Sequence, residues 1–463
     1  MIRIAAVLIA LAAPLAAADV TGKWAVIAVT GSGDLKLELN LSGVGSAMAG
    51  TLTFPAGAVP LENIAVTGDQ LSFQFMLGPQ RIAVALNVTG DTMAGTWKGE
   101  SSEGKVTATR AGGGTLAAVK VETGEIAGSD FRIDMPENYN GTLVVYCHGY
   151  GGRVRYDDKP LAPQVRFLTE KGFAVAQAGY AGAGWAIEEA LRDTEALREY
   201  FVKKHGKPKR TFVTGHSMGG IITLAIIEKY PQHYDGALPL CGPLASSLRF
   251  MQSRVFDTLV LFDYYFPGVI GSPVKLAESV RMSKDYVAEL DKLMDAEPQK
   301  KTALKQWLGF QSEKEVAPLV GFFANIQKEL VTRTGGNAFD NRDTIYTGGP
   351  DEPAVNHGVK RYPADPKAVE YLKRYYTPEG RPKRPVLAVH TLYDPIVPAW
   401  STNAYGERVR ETGSSELFVQ RYTRNPGHCA IRPDETRRAF EDLLRWQETG
   451  QRPEPGEQAG DPK

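Results

Sequence analysis

Cysteine is scarce in this 463-residue chain. Three residues are too few for a disulfide scaffold, and they lack the paired spacing of a structural zinc site. Excess charge of either sign is missing too: 53 lysines and arginines balance 53 aspartates and glutamates, which removes the basis for nucleic-acid binding or charge-driven membrane docking. Outside the first residues, no apolar run reaches the length of a membrane span. Histidine occupies only seven positions, so the candidates for proton transfer are few. What is present is the composition of a folding globular chain, 43% hydrophobic and 23% charged. Its length predicts two domains, or one large domain with an added module.

Met1, Ile2 and Arg3 give a short basic start, residues 4–15 are almost continuously apolar, and Ala16, Ala17 and Ala18 precede Asp19. This is the pattern of a secretory signal peptide over residues 1–18, and it predicts a periplasmic or secreted mature protein. Residues 19–112 follow as short segments of strict alternation, such as Leu35, Leu37, Leu39 and Leu41, or Ile82, Val84, Leu86 and Val88. Period two predicts sheet with one buried face. Val66-Thr67-Gly68-Asp69 returns as Val88-Thr89-Gly90-Asp91, and Met48-Ala49-Gly50-Thr51 as Met93-Ala94-Gly95-Thr96. Such echoes predict repeated hairpins in a small antiparallel barrel or sandwich. This stretch carries no histidine, no cysteine and no carboxylate cluster, so a supporting role is expected of it.

After Gly112-Gly113-Gly114 the pattern changes. Apolar strands are predicted at 141–147, 173–178, 210–214, 237–240 and 385–390. A helix is predicted over 186–204 from Ile187, Ala190, Leu191, Thr194, Leu197 and Phe201. Buried strands alternating with helices predict an α/β domain over 113–450, with a mostly parallel sheet covered on both faces. Gly215-His216-Ser217-Met218-Gly219 sits between a strand and a helix. There its glycines permit a sharp turn that lifts the Ser217 hydroxyl above the sheet. A serine hydroxyl needs a base, and the base needs an orienting acid. His428 lies in a loop after the strand at 417–422 and just before the last helix, and Asp394 lies in the turn after the strand at 385–390. The order Ser217, Asp394, His428 is the one such a sheet requires. His148-Gly149-Tyr150-Gly151-Gly152 follows the third strand of the domain, counting one at 131–135 as the second. The backbone amides of Tyr150 and Met218 are the expected oxyanion donors, with His148 propping the loop.

Together, the elbow, the His-Gly-Tyr-Gly-Gly loop, the Asp394-Pro395-Ile396-Val397-Pro398 turn and the late Gly427-His428-Cys429 resemble an α/β-hydrolase over about 113–450. They are most similar to secreted bacterial serine esterases and prolyl-oligopeptidase-like hydrolases with an N-terminal β domain. The resemblance implies a covalent acyl-enzyme with Ser217 as nucleophile, His428 as base and Asp394 as acid. The residue before Ser217 is His216, where tannase and feruloyl-esterase proteins carry cysteine.

Roughly 140 residues separate the strands at 237–240 and 385–390, far beyond an ordinary connection. A helical cap is expected at about 243–383, with helices at 282–294, 300–307, 316–330 and 368–376. Its aromatics, Phe262, Tyr264, Tyr265, Phe266, Phe322 and Phe323, are expected mostly in the cap's own core. Residues 451–463 are expected to be a disordered tail. Cys147, Cys241 and Cys429 allow one disulfide, Cys241 with Cys429 preferred, or three buried reduced thiols. The expected activity is hydrolysis of carboxylic esters of small or oligomeric substrates, with no metal or organic cofactor, no nucleic-acid partner and no stable membrane insertion. The alternative is a serine peptidase with the same triad, which as an aminopeptidase needs carboxylates for a free amine; Glu188, Glu189 and Asp340 are candidates.

Overall fold

The computed structural model describes residues 18–459, apart from 31–32, 44–47, 55–56, 79, 91, 101, 111–117, 158 and 160. The export segment expected at 1–18 lies outside the described residues except for Ala18, as does the glycine run at 112–114. The chain divides into two compact units, Met1–Leu116 and Ala117–Lys463.

In the first unit the described residues form strands β1 (Gly22–Thr30), β2 (Gly33–Ser42), β3 (Ala49–Phe54), β4 (Gly57–Pro60), β5 (Glu62–Thr67), β6 (Gln70–Leu77), β7 (Gln80–Thr89), β8 (Thr92–Lys98) and β9 (Glu103–Arg110). They make one antiparallel sheet in the order β4-β3-β2-β1-β9-β8-β7-β6-β5. Alternate side chains, among them Trp24, Leu39, Leu71 and Met93, fill a single apolar core. The Thr-Gly echo marks two hairpin turns, β5–β6 and β7–β8. Gly68 and Gly90 both take the left-handed conformation such turns require, with φ of 58° and 61°.

The second unit begins with β10 (Val119–Ile126), β11 (Ser129–Pro136), β12 (Thr142–Cys147), α1 (Pro163–Glu170), β13 (Ala174–Ala178), α2 (Ile187–His205), β14 (Arg210–His216), α3 (Met218–Lys229) and β15 (Gly236–Leu240). The cap follows, with α4 (Ser247–Phe250), a π-helical stretch (Met251–Phe256), α5 (Asp257–Tyr265), the short pair β16 (Gly271–Ser272) and β17 (Lys275–Leu276), α6 (Lys284–Asp295), α7 (Pro298–Leu308), α8 (Val316–Thr334), α9 (Glu352–Gly358) and α10 (Pro366–Arg374). The chain then returns to the sheet through β18 (Val386–Thr391), α11 (Trp400–Glu411), β19 (Phe418–Thr423), α12 (Pro433–Thr449) and β20 (Gly456–Glu457).

Sheet order is β10-β11-β13-β12-β14-β15-β18-β19-β20, parallel from β13 onward. Successive residues of the central strands enter opposite cores. Val145 and Val213 join the core that α2, α3 and the cap share. Val144 and Phe212 join the one formed with α1 and α12. A strand buried on both faces has no polar side to present, which is why Leu143, Val144 and Val145 of β12 read as an unbroken apolar run.

Two expectations need correction. Helices α6, α7, α8 and α10 fall where periodicity placed them, but α4, α5 and α9 had no counterpart. Val255, Phe256, Leu259 and Phe262 are all fully buried, so this segment is buried on most sides and shows no amphipathic period. The tail expected to be disordered from 451 is ordered as far as 459. Strand β20 pairs with β19, and Glu457 forms an ion pair with Arg424 at 2.7 Å. No described helix is long and apolar enough to cross a membrane.

Candidate active site

Ser217 occupies the turn between β14 and α3 with φ 57° and ψ −124°, a left-handed backbone rare outside glycine. Its amide donates to the carbonyl of Leu240 at 3.0 Å, which fixes the turn to β15. The flanking glycines are steric necessities. A Cβ on Gly215 would lie 2.5 Å from the carbonyl oxygen of Cys147, and one on Gly219 would lie 2.0 Å from that same oxygen. Strand β12 therefore passes directly against the elbow, and the loop that continues it reaches the serine. A Cβ on Gly149 would sit 3.4 Å from that of Ser217. His148 stacks on Tyr180 with ring centroids 3.9 Å apart and contacts the carbonyl of Gly149 through Nδ1 at 2.8 Å. Burial lowers its pKa, consistent with a neutral prop for this loop.

Asp394 lies in the turn after β18 and is buried. Its Oδ1 accepts the amides of Ile396 at 2.9 Å and Val397 at 2.8 Å, and its Oδ2 faces His428 Nδ1 at 2.7 Å. Burial alone would raise the pKa of this carboxyl; the hydrogen bond and charge of His428, aided by the Val397 amide, bring it below its ordinary value. Beneath the turn, buried His390 donates through Nε2 to the carbonyl of Val397 at 2.8 Å. His428 stands in a loop tied to the acid turn, because Gly427 donates its amide to the carbonyl of Tyr393 at 2.7 Å. Its Nε2 lies 2.8 Å from Ser217 Oγ. Facing a carboxylate, Nδ1 carries the proton, which leaves Nε2 as the acceptor for the serine hydroxyl. Three residues up to 211 positions apart thus converge in one relay.

The remaining histidines stand outside the relay. His216 meets the Tyr146 hydroxyl at 3.2 Å, and burial, with the nearby charge of His428, pushes its pKa down to about 4. His205 and His233 pair with Glu122 and Glu195.

Cys241, at the end of β15, is disulfide-bonded to Cys429, the residue after His428, across 188 positions. Cys147 is buried and reduced, and burial pushes its thiol up to about 12, so it has no reactive thiolate near neutral pH. The bridge pins the histidine loop to the strand beside the elbow. Replacing Cys241 and Cys429 together by alanine is expected to lower stability by about 2–4 kcal/mol and to reduce kcat more than it raises KM. Thermal melts and steady-state kinetics, with and without reductant, check this; unchanged melting and turnover would contradict it. Among the described residues, no group of three or more His, Cys, Asp or Glu could hold a metal ion.

The family described as serine aminopeptidase, S33, matches residues 140–292, the stretch that carries the loop from His148 to Gly152 and the elbow. The mostly parallel sheet, the strained serine between strand and helix, and Asp394 and His428 in the loops after β18 and β19 make up the architecture of this unit. The chain has the α/β-hydrolase fold. An o-phthalyl amidase of Xanthobacter agilis is 22% identical to it over 398 residues, covering 70% of this chain and 86% of the amidase. Among solved structures, a puromycin-hydrolyzing peptidase of Mycobacterium tuberculosis shares 14% identity at a TM-score of 0.40; the match covers 93% of this chain but spans only 55% of the peptidase. An esterase of Pyrococcus furiosus, also at 14% identity and TM-score 0.40, is matched over 71% of this α/β-hydrolase and 92% of its own length.

Two residues around the acid turn of this α/β-hydrolase had no mark in the sequence. Tyr393 donates its hydroxyl to Glu315 at 2.8 Å and accepts the Gln311 amide at 3.0 Å, joining the turn to the cap. Arg254, from the π-helical stretch, donates to the carbonyl of Pro395. Both contacts link segments about 80 or more positions apart, beyond the reach of any local pattern.

Proposed function

We propose that this protein is an exported esterase that cleaves carboxylic esters through an acyl-enzyme. Ser217 Oγ attacks the ester carbonyl while His428 Nε2 takes its proton, and Asp394 balances the imidazolium charge that results. The tetrahedral oxyanion rests on the backbone amides of Tyr150 and Met218. Collapse expels the alcohol, which takes the proton from His428; water then repeats the sequence and releases the acid. The observation that carries this reading is the continuous relay, 2.8 Å from hydroxyl to imidazole and 2.7 Å from imidazole to carboxylate. The oxyanion assignment is supported by two amides that donate to no acceptor among the described residues, one of them at the positive end of α3. Export is supported by the apolar N-terminal segment and by the Cys241–Cys429 disulfide, which suits an oxidising compartment.

A second reading, cleavage of an amide, is supported by the amidase relative and by the S33 description. The carboxylates considered for anchoring a free amine are already engaged. Glu188 accepts the hydroxyls of Tyr371 and Tyr375, Glu189 pairs with Arg333 at 2.9 Å, and Asp340 pairs with Arg342 at 2.6 Å. This favours an acyl group without a free amine over an amino-terminal peptide. A panel of p-nitrophenyl esters run beside matching p-nitroanilides separates the two. Faster turnover of esters is expected, and faster turnover of anilides would reverse the order.

A further inference from the structure

Arg254 takes no part in the relay, yet its surroundings are unusual for an arginine. It is only 7% exposed, and no carboxylate lies within ion-pair distance of it among the described residues. Nη1 donates to the carbonyl of Leu308 at 3.1 Å, Nη2 donates to the carbonyl of Pro395, and Nε is buried without an acceptor. The rings of Phe310 and Phe323 lie 4.9 and 5.3 Å from the guanidinium carbon. Burying a cation this way is costly, and an apolar side chain of similar length would fill the space without that cost. The compensation comes from the site. Burial pushes the pKa of Arg254 down to about 10, against the opposing pull of Asp394 first, then Tyr393 and Glu315.

The two carbonyls locate the function. Pro395 is the residue after Asp394 in the acid turn, and Leu308 closes α7 in the cap, so one planar fork spans turn and cap. We propose that Arg254 is a positioning residue for the catalytic acid. It holds the Asp394 turn against the cap, and its buried charge adds to that of His428 beside the Asp394 carboxylate. The proposal rests on the reading of Asp394 as the acid of the triad. The charged and titratable groups facing Asp394 are His428, His390 below the turn, and Arg254; those facing Arg254 are Asp394, Tyr393 and Glu315. Removing a cation beside a carboxylate makes the acid hold a proton more tightly. The acidic limb of the kcat/KM profile then moves to higher pH.

The test compares Arg254→Met, Arg254→Lys and Tyr393→Phe on a p-nitrophenyl ester, with rates expressed per site titrated by a fluorophosphonate. Arg254→Met is expected to lower kcat on the order of 10- to 100-fold with KM little changed, the effect of a misplaced catalytic group, and to move the acidic limb upward. Arg254→Lys keeps the charge and loses the fork, so it should leave the limb in place while recovering only part of kcat. Tyr393→Phe removes the other tether without removing a charge and should leave the limb in place. Wild-type kcat and an unmoved limb in the methionine variant would reduce Arg254 to packing, and a change confined to KM would make it a substrate contact; either overturns the proposal. Should the methionine variant yield no titratable sites, the lysine variant decides, because wild-type kcat there contradicts a need for the fork. Full turnover in Asp394→Asn would instead overturn the reading on which the proposal rests.

Discussion

Alanine at position 217 is expected to lower kcat on a p-nitrophenyl ester by about 10⁴- to 10⁶-fold and to abolish the acyl-enzyme burst. The size follows from what the substitution leaves. His428 keeps its carboxylate partner at 2.7 Å but has no proton to take, and the proposed oxyanion donor at Met218 stays in place, since the elbow is held by a backbone bond from Ser217 to Leu240. A residual acceleration on the order of 10³-fold over water is expected from the oxyanion donors and binding alone. The Ser217 hydroxyl bonds to His428 and to no other side chain among the described residues, so the melting temperature should hardly change. Stopped-flow and steady-state rates check this; loss of less than tenfold would contradict it.

Asparagine at position 394 is expected to cost about 10³- to 10⁴-fold in kcat, though it is nearly the same shape. Its amide oxygen can still accept the Ile396 and Val397 amides, which turns the NH₂ group toward His428 Nδ1. A donor there forces the imidazole proton onto Nε2, the nitrogen that must accept from Ser217. Combining this change with Ser217→Ala should lower the rate scarcely further than the serine change alone, because the three groups act as one unit. Additive losses in the double variant would mean that Asp394 works independently of the serine.

The elbow was legible because its constraint is steric and falls on closely spaced positions. A side chain at 215 or 219 would collide with the Cys147 carbonyl, so only glycine fits, and the pattern survives in the sequence. Asp394 and His428 were legible from chain order along a parallel sheet. In the first unit, alternation revealed the strands but not their arrangement, since β1 pairs with β9 as well as with its neighbour β2. The Cys241–Cys429 bridge is the pairing the sequence favoured, but the sequence left it open against three reduced thiols. The order β15-β18-β19 brings Cys241 and the loop after β19 together across 188 positions, and an odd count of three leaves both outcomes open. Arg254 sits in a segment buried on most sides, where one charged residue breaks no periodicity, and its meaning lies in a carbonyl 141 positions away. Strand β20 is two residues long, too short for any pattern.

Labelling with a fluorophosphonate, followed by intact mass and peptide mapping, tests the relay most directly. A single adduct on the peptide containing Ser217 is expected, formed with a pH dependence that reports a titrating base and lost in Ser217→Ala. An adduct on any other residue, or labelling that persists in the alanine variant, would contradict the assignment of Ser217, His428 and Asp394 as the catalytic centre.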